Sequence, residues 1–273
     1  MTGSDTLAAR LPRAAGRTIF GSDAEGYHRA RPGYPPALYR LIAARLPSFG
    51  AVAEIGPGTG LATEVLAAFA KRRFVAFEPD PVLAAHLRTR FAALDVINED
   101  FCEAQLDGGF DLIASASSFH WLDPEVALPR AHALLRPGGC LAIWWNVYRQ
   151  AGIGDPFAEA LLPLLAGIDL PPSEGADRHY ALDADLHRAR LTAAGFEHVE
   201  HHVFRCERVL TPDQARALYA AFSLVRLLPP VQRDALLDAI EAIVVEQFNG
   251  AAPSVLLTPI YLASRPAPDS APR

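Results

Sequence analysis

The chain has 273 residues, 51% of them apolar, 21% charged and 9% aromatic, a balance that suits one large globular domain or two small ones and excludes a disordered or fibrous protein. Basic side chains number 25 against 31 acidic ones, a formal charge of −6 that argues against nucleic acid as a partner, and no apolar run approaches the roughly 20 residues of a membrane span. Cys102, Cys140 and Cys206 lie far apart and offer neither a disulfide framework nor a metal knuckle, so no metal is expected and the compartment is read as reducing and cytoplasmic.

Residues 1–24 carry Arg10, Arg13 and Arg17 but lack the apolar stretch of a secretory signal, and read as a mobile arm. Pro35 and Pro36 then open a helical spacing of Leu38, Leu41, Ile42 and Leu46 that ends near Pro47. Residues 51–55 form a short apolar strand running into Gly56-Pro57-Gly58-Thr59-Gly60, and 61–70 resume a helical pattern. The single lysine, Lys71, follows in a Lys71-Arg72-Arg73 cluster that reads as a solvated helix end, which disfavours Schiff-base chemistry. The alternation continues with a strand at 74–78, a helix at 81–91, strands at 96–100 and 111–117, a helix at 124–135, and a strand at 140–145 after the turn Pro137-Gly138-Gly139. Such alternation predicts an α/β fold, a doubly wound and mainly parallel sheet with helices on both faces.

The second half is less regular. Residues 147–180 have an apolar centre broken by Pro163, Pro171 and Pro172 and read as an insertion. A helix at 183–194 ends at Gly195, a long strand covers 198–210, and two amphipathic helices at 211–227 and 230–248 form a second insertion before a last strand at 254–263. The expected organisation is one domain over 25–265 with cap insertions at about 147–180 and 211–249, and a disordered Pro-rich tail at 266–273.

Glycine lets a backbone turn sharply and lets a ligand come close, while the following helix offers free N–H groups, so 56–60 is a candidate ligand site; a plain tight connection is the alternative. A P-loop would need Gly-Lys-[Ser/Thr], and Gly60 is followed by Leu61 and Ala62. A dinucleotide fingerprint would need Gly or Ala where Leu61 or Thr63 stands, so a nicotinamide oxidoreductase is disfavoured.

The pattern Glu54-Ile55-Gly56-Pro57-Gly58-Thr59-Gly60, with a second acid, Glu78, ending the next strand, resembles the class I S-adenosylmethionine-dependent methyltransferases, in their small-molecule, type 11-like branch. Phe110-Asp111-Leu112-Ile113 and Leu135-Arg136-Pro137-Gly138-Gly139 follow in the same order, and the resemblance extends to 27–35 and to Ser118-Phe119-His120-Trp121-Leu122-Asp123. It implies a Rossmann-like seven-stranded sheet with an antiparallel last strand, S-adenosyl-L-methionine as cofactor, and transfer of a methyl group to a small acceptor.

By the same resemblance Gly56 and Gly58 meet the methionine end of the cofactor, Glu54 its ammonium or a bridging water, and Tyr27 and Arg31 its carboxylate, although Arg31 could equally be a surface residue. Glu78, with Pro79 beside it, would hold the ribose hydroxyls, or else serve as a helix N-terminal charge. Asp100 and Phe101 would hold the adenine, with a solvated loop acid as the alternative, and Ser115 joins the set at the end of the fourth strand. A sulfonium methyl is already a strong electrophile, so alignment and water exclusion are the main demands on the protein. His120 is the candidate to orient or deprotonate the nucleophile, or it packs beside the cofactor with Trp121.

Walls rich in Leu, Ala, Phe and Tyr and poor in basic residues point to a partly apolar O- or N-nucleophile as acceptor. No nucleic acid or membrane partner is expected, and the chain is read as a monomer or homodimer. A cofactor-binding module without catalysis is the main rival.

Overall fold

The structure is a computed structural model and describes residues 24–46, 50–166 and 179–267; the arm expected over 1–24, apart from Ala24, the 167–178 part of the first expected insertion with Pro171 and Pro172, and most of the tail lie outside these residues. Seven strands form one sheet: β1 (Ala51–Ile55), β2 (Arg73–Phe77), β3 (Asp95–Ile97), β4 (Phe110–Ala116), β5 (Leu135–Trp144), β6 (Glu197–Leu210) and β7 (Ala252–Ser264). Their order is β3-β2-β1-β4-β5-β7-β6, with β1 to β5 parallel and β7 antiparallel to both neighbours. The order reverses between β1 and β4, and the C-terminal ends of these strands open the crevice in which such sheets bind ligands.

Strand β1 is buried on both faces, and the period of two sorts its side chains. Ala53 and Ile55 join Phe77, Ile113 and Ile143 in one core layer, whereas Val52 joins Ala76, Leu112 and Trp144 in the other. Helix α1 (Ala24–Ala30) precedes α2 (Pro36–Arg45), whose Leu38, Tyr39 and Ile42 cover the second layer. Glu54 lies on this same face, an acid at a core position.

Several elements differ from the sequence expectation, each for a local reason. The helix expected over 61–70 shrinks to α3 (Thr63–Leu66), because the N–H groups of Ala68 and Phe69 bond carbonyls three residues back and tighten the end. Strand β3 stops at Ile97, the last residue that β2 pairs, and α4 (Pro81–Arg90) lies between the two. Strand β5 begins at Leu135 and runs through Pro137-Gly138-Gly139, after α5 (Pro124–Leu134). Pairing starts at Phe110↔Leu135, shifts across a bulge and resumes at Leu112↔Cys140, so the glycine pair is absorbed inside the strand.

Pro163 sits inside α6 (Pro156–Ala166) instead of ending it. It faces solvent, while Phe157, Leu161 and Leu165, four residues apart, anchor the opposite face. Helix α7 (Ala184–Ala193) is followed by β6. The expected helix over 211–227 splits into α8 (Pro212–Ala220) and α9 (Ser223–Arg226), since Phe222 is extended, with φ −76° and ψ 134°. Leu218 and Tyr219 pack with Leu236, Ile240 and Val244 of α10 (Pro230–Phe248) and with α6, giving these helices an apolar core of their own.

Candidate active site

The loop after β1 shows three glycines with three duties. Gly56, Gly58 and Gly60 all have positive φ, at 62°, 60° and 88°. A β-carbon at Gly56 would stand 2.6 Å from the Ser118 Cβ, and one at Gly60 would stand 2.5 Å from the Phe91 ring. At Gly58 nothing lies within 4 Å, so its missing side chain opens space for a ligand.

That space belongs to a cavity of about 510 Å³ whose walls include the glycine loop, Tyr27, Arg31, Glu78, Pro79, Asp100, Phe101 and His120. Glu78 ends β2 and is 4% exposed; its two carboxylate oxygens accept from the Gly58 N–H at 2.9 Å and the Asp80 N–H at 3.0 Å. Burial pushes its carboxyl up to about 7. Asp80, not Glu78, caps α4, accepting from Val82 and Leu83. Asp100 makes a tight turn by accepting from the Cys102 N–H at 2.7 Å, which sets the buried Phe101 ring edge-on to Phe77.

Glu54 and Ser115 are brought close without joining the wall. Glu54 is 1% exposed, takes a hydrogen bond from Thr63 Oγ1 at 2.7 Å through Oε2, and leaves Oε1 buried with no partner. Burial pushes it up to about 8. Ser115 is fully buried and shares a 2.7 Å hydrogen bond with Ser118, whose hydroxyl also reaches the Ile55 carbonyl at 2.5 Å. These serines lock the glycine loop against the end of β4.

Arg31 is inside, not on the surface. Its guanidinium lies 4.4 Å from the Phe222 ring centroid and 5.1 Å from that of Tyr148, and donates to the Ala221 carbonyl at 3.1 Å, a carbonyl freed by the break between α8 and α9. It has no carboxylate partner among the described residues, and Nε is buried and unpaired. The same segment is tied down by Asn146, which donates to the Pro32 carbonyl, and by the Tyr34 hydroxyl, which donates to Ser117 Oγ at 3.1 Å. Ser117 carries a strained φ of 54°.

His120 lies in a short helical turn, Phe119–Trp121, on the cavity wall. The Trp145 indole N–H donates to its Nδ1 at 3.2 Å. An indole can only donate, so Nδ1 is the unprotonated nitrogen and the neutral ring carries its proton on Nε2. Burial, helped by nearby His179, pushes the ring down to about 3. Of the two adjacent tryptophans only Trp145 faces the cavity; Trp144 points the other way, edge-on to Tyr34 and Tyr39.

Comparison with known proteins falls on the same residues. A family profile described as a methyltransferase domain matches residues 53–143, which carry the glycine loop, Glu78, Asp100 and His120. An uncharacterized methyltransferase of Mycobacterium tuberculosis is 36% identical over 134 residues, 46% of this chain and 51% of that protein, so the match spans about half the length of that relative. An uncharacterized methyltransferase of Schizosaccharomyces pombe is 24% identical over 84% of this chain and 88% of its own. A Haemonchus contortus phosphoethanolamine N-methyltransferase, solved with S-adenosylhomocysteine, shares the fold at a TM-score of 0.55 and 14% identity, over 92% of this chain and 60% of that one.

Residues 53–143 thus match a methyltransferase domain, and the whole chain is similar in sequence and fold to methyltransferases. The residues present fit S-adenosylmethionine, the cofactor that the sequence resemblance implies. The unpaired Glu54 oxygen and the unpaired Arg31 nitrogen offer a carboxyl and a guanidinium to a zwitterionic amino acid, and the open Gly58 leaves room for it.

Ser117 and Ser118 border the cavity beside His120, as expected of the segment after the fourth strand, and so do Tyr34, Asn146, Tyr148 and His187, which the sequence reading assigns to no site. For Ser117 and Ser118 the signal was their place beside His120; for the others no local pattern marks them, since they arrive by long-range packing. The expectation of walls poor in basic residues is not met, because Arg149 and Arg190 line the same cavity.

Proposed function

We propose that this chain transfers a methyl group from S-adenosylmethionine to a small acceptor molecule in the cytoplasm. The observation that carries the reading is continuity: one cavity joins the glycine loop, Glu78 and Asp100 to the wall formed by His120 and Trp145. When bound, the cofactor supplies an electrophilic methyl group. The protein's own residues bind, align and exclude water around it.

In this reading Arg31 and Tyr27 take the methionine carboxylate, Glu54 reaches the ammonium from beneath the loop or through a water, and Gly56 and Gly58 present the backbone. Glu78, beside Pro79, offers the ribose hydroxyls the lone pairs that its two backbone contacts leave over. Asp100 and Phe101 flank the adenine, and Ser115 holds Ser118 and the loop in place. His120 orients the acceptor by donating from Nε2. The segments 147–180, of which 167–178 lie outside the described residues, and 211–249 act as a cap, with Tyr148, Leu165 and Phe222 in the cavity wall.

Calorimetry with S-adenosylhomocysteine and with NAD tests the cofactor half of the reading. Binding of the sulfur compound and no response to NAD is expected, and the reverse would overturn it. Transfer of label from the methyl group to an acceptor panel tests the catalytic half.

A further inference from the structure

The cavity is chemically divided. Its carboxylates, Glu78 and Asp100, both stand at the end that holds the glycine loop. Arg149, just beyond β5, and Arg190, on α7, line it as well, and neither has an ion-pair or side-chain hydrogen-bond partner among the described residues. Arg190 stands close enough to His187 to help keep that ring neutral, and Arg149 is near the Tyr219 hydroxyl. Both arginines are half-buried.

The histidines beside them add a donor. His179 accepts from the Ala181 N–H at Nδ1, and His120 accepts from Trp145 at Nδ1, so the neutral His120 ring carries its N–H on Nε2. His187 uses its Nε2 on the Tyr180 carbonyl. Trp145 and Tyr180, 5.6 Å apart and edge-on, supply an apolar wall. A half-buried guanidinium without a counter-ion loses hydration and regains nothing until an anion arrives, and its fork matches a carboxylate.

We propose that the acceptor is a small organic acid, its carboxylate met by Arg149 and Arg190 and its apolar body laid against Trp145 and Tyr180. The proposal rests on the methyltransferase reading above, and it names the substrate class of that site. It also turns the charge balance of the chain to use: a net negative protein keeps a cationic patch inside its cavity, where a small acid can reach it and a polyanion cannot.

The test uses the full chain saturated with S-adenosylhomocysteine and two matched probe pairs, trans-cinnamate with trans-cinnamamide and hexanoate with hexanamide, measured by calorimetry. At least one acid is expected to bind about 10-fold or more tightly than its amide. In the Arg149→Gln/Arg190→Gln double variant that preference should vanish while S-adenosylhomocysteine affinity stays within about twofold. The two single variants, each expected to reduce the preference, replace the double if it does not fold. Equal binding of acids and amides, no binding of either acid, or a preference that survives the substitutions would overturn the proposal. Tighter binding of phenyl phosphate than of cinnamate would overturn the carboxylate in favour of a phosphate. Failure of the wild-type chain to bind S-adenosylhomocysteine would instead sink the methyltransferase reading, and the acid preference would then be measured on the cofactor-free protein.

Discussion

The indole of Trp145 fixes the tautomer of His120, donating to Nδ1 across 3.2 Å and leaving Nε2–H turned to the rest of the site. A buried ring held near 3 stays neutral throughout the physiological range, and a nitrogen that already bears a proton cannot take another from a nucleophile. Orientation is therefore the role this geometry supports. Turnover should show no inflection near pH 6.5, His120→Ala should lower it by ~10²-fold, and His120→Gln, which keeps an N–H donor, should recover much of the loss. A base would behave oppositely: activity would fall as the ring protonates, and Gln would not rescue it.

The glycines of the loop should separate stability from binding. Gly56→Ala places a methyl group 2.6 Å from the Ser118 Cβ at a positive φ, and should cost about 2 kcal/mol or more of stability. Gly58→Ala meets only the φ penalty, about 1 to 2 kcal/mol, yet it fills the space left for a ligand. Thermal melts and calorimetry on the pair should show a larger loss of Tm in Gly56→Ala, and a loss of S-adenosylhomocysteine affinity in Gly58→Ala beyond what its melt explains.

Glu78 is already committed to two backbone N–H groups, and it still borders the cavity. In the proposed reading, replacing it with alanine removes an acceptor from the ligand and from the loop together. A weakening of S-adenosylhomocysteine binding by about 1 to 3 kcal/mol is expected in a folded Glu78→Ala variant. Unchanged affinity would remove the residue from ribose recognition.

Proton linkage gives a separate test. Glu54 at about 8 and Glu78 at about 7 stand above the ordinary 4.5, because burial penalises the anion. The folded chain thus keeps protons that the unfolded chain has released, and its stability should fall as pH rises from about 4.5 through 8. An ammonium bound near Glu54 favours the anion, so ligand binding should release protons and tighten between pH 6 and 8. Calorimetry in buffers of different ionisation enthalpy reads this directly; identical heats at pH 7 would remove Glu54 from the ligand's charge balance.

What was legible in the sequence follows the range of the forces involved. Period-two burial and the glycine loop are local, so the succession of strands and helices up to β5, the loop and the acids at 78 and 100 could be read from neighbours in the chain. The bulge that absorbs Gly138 and Gly139 into β5 depends on what β4 pairs with, and the break at Phe222 depends on the packing of α8 on α10. Arg190 reads as an ordinary charge on an ordinary helix until α7 is placed beside Trp145 and Tyr180. Pro163 misled because a proline is a breaker only where the rest of the helix has nothing to hold it.

The place of β7 has a consequence for how the polypeptide is made. Among the described residues β6 pairs with β7 alone, and β7 begins about 40 residues after β6 ends. While the ribosome is still adding residues 211–251, β6 has no partner, and the half of the sheet that backs Trp145 stays unfinished. The first five strands pair among themselves and can assemble as they emerge, whereas the side of the sheet that backs Trp145 must wait for residues 252–264. A stalled chain ending near 250 should therefore shelter the glycine loop from protease and leave β6 open to it.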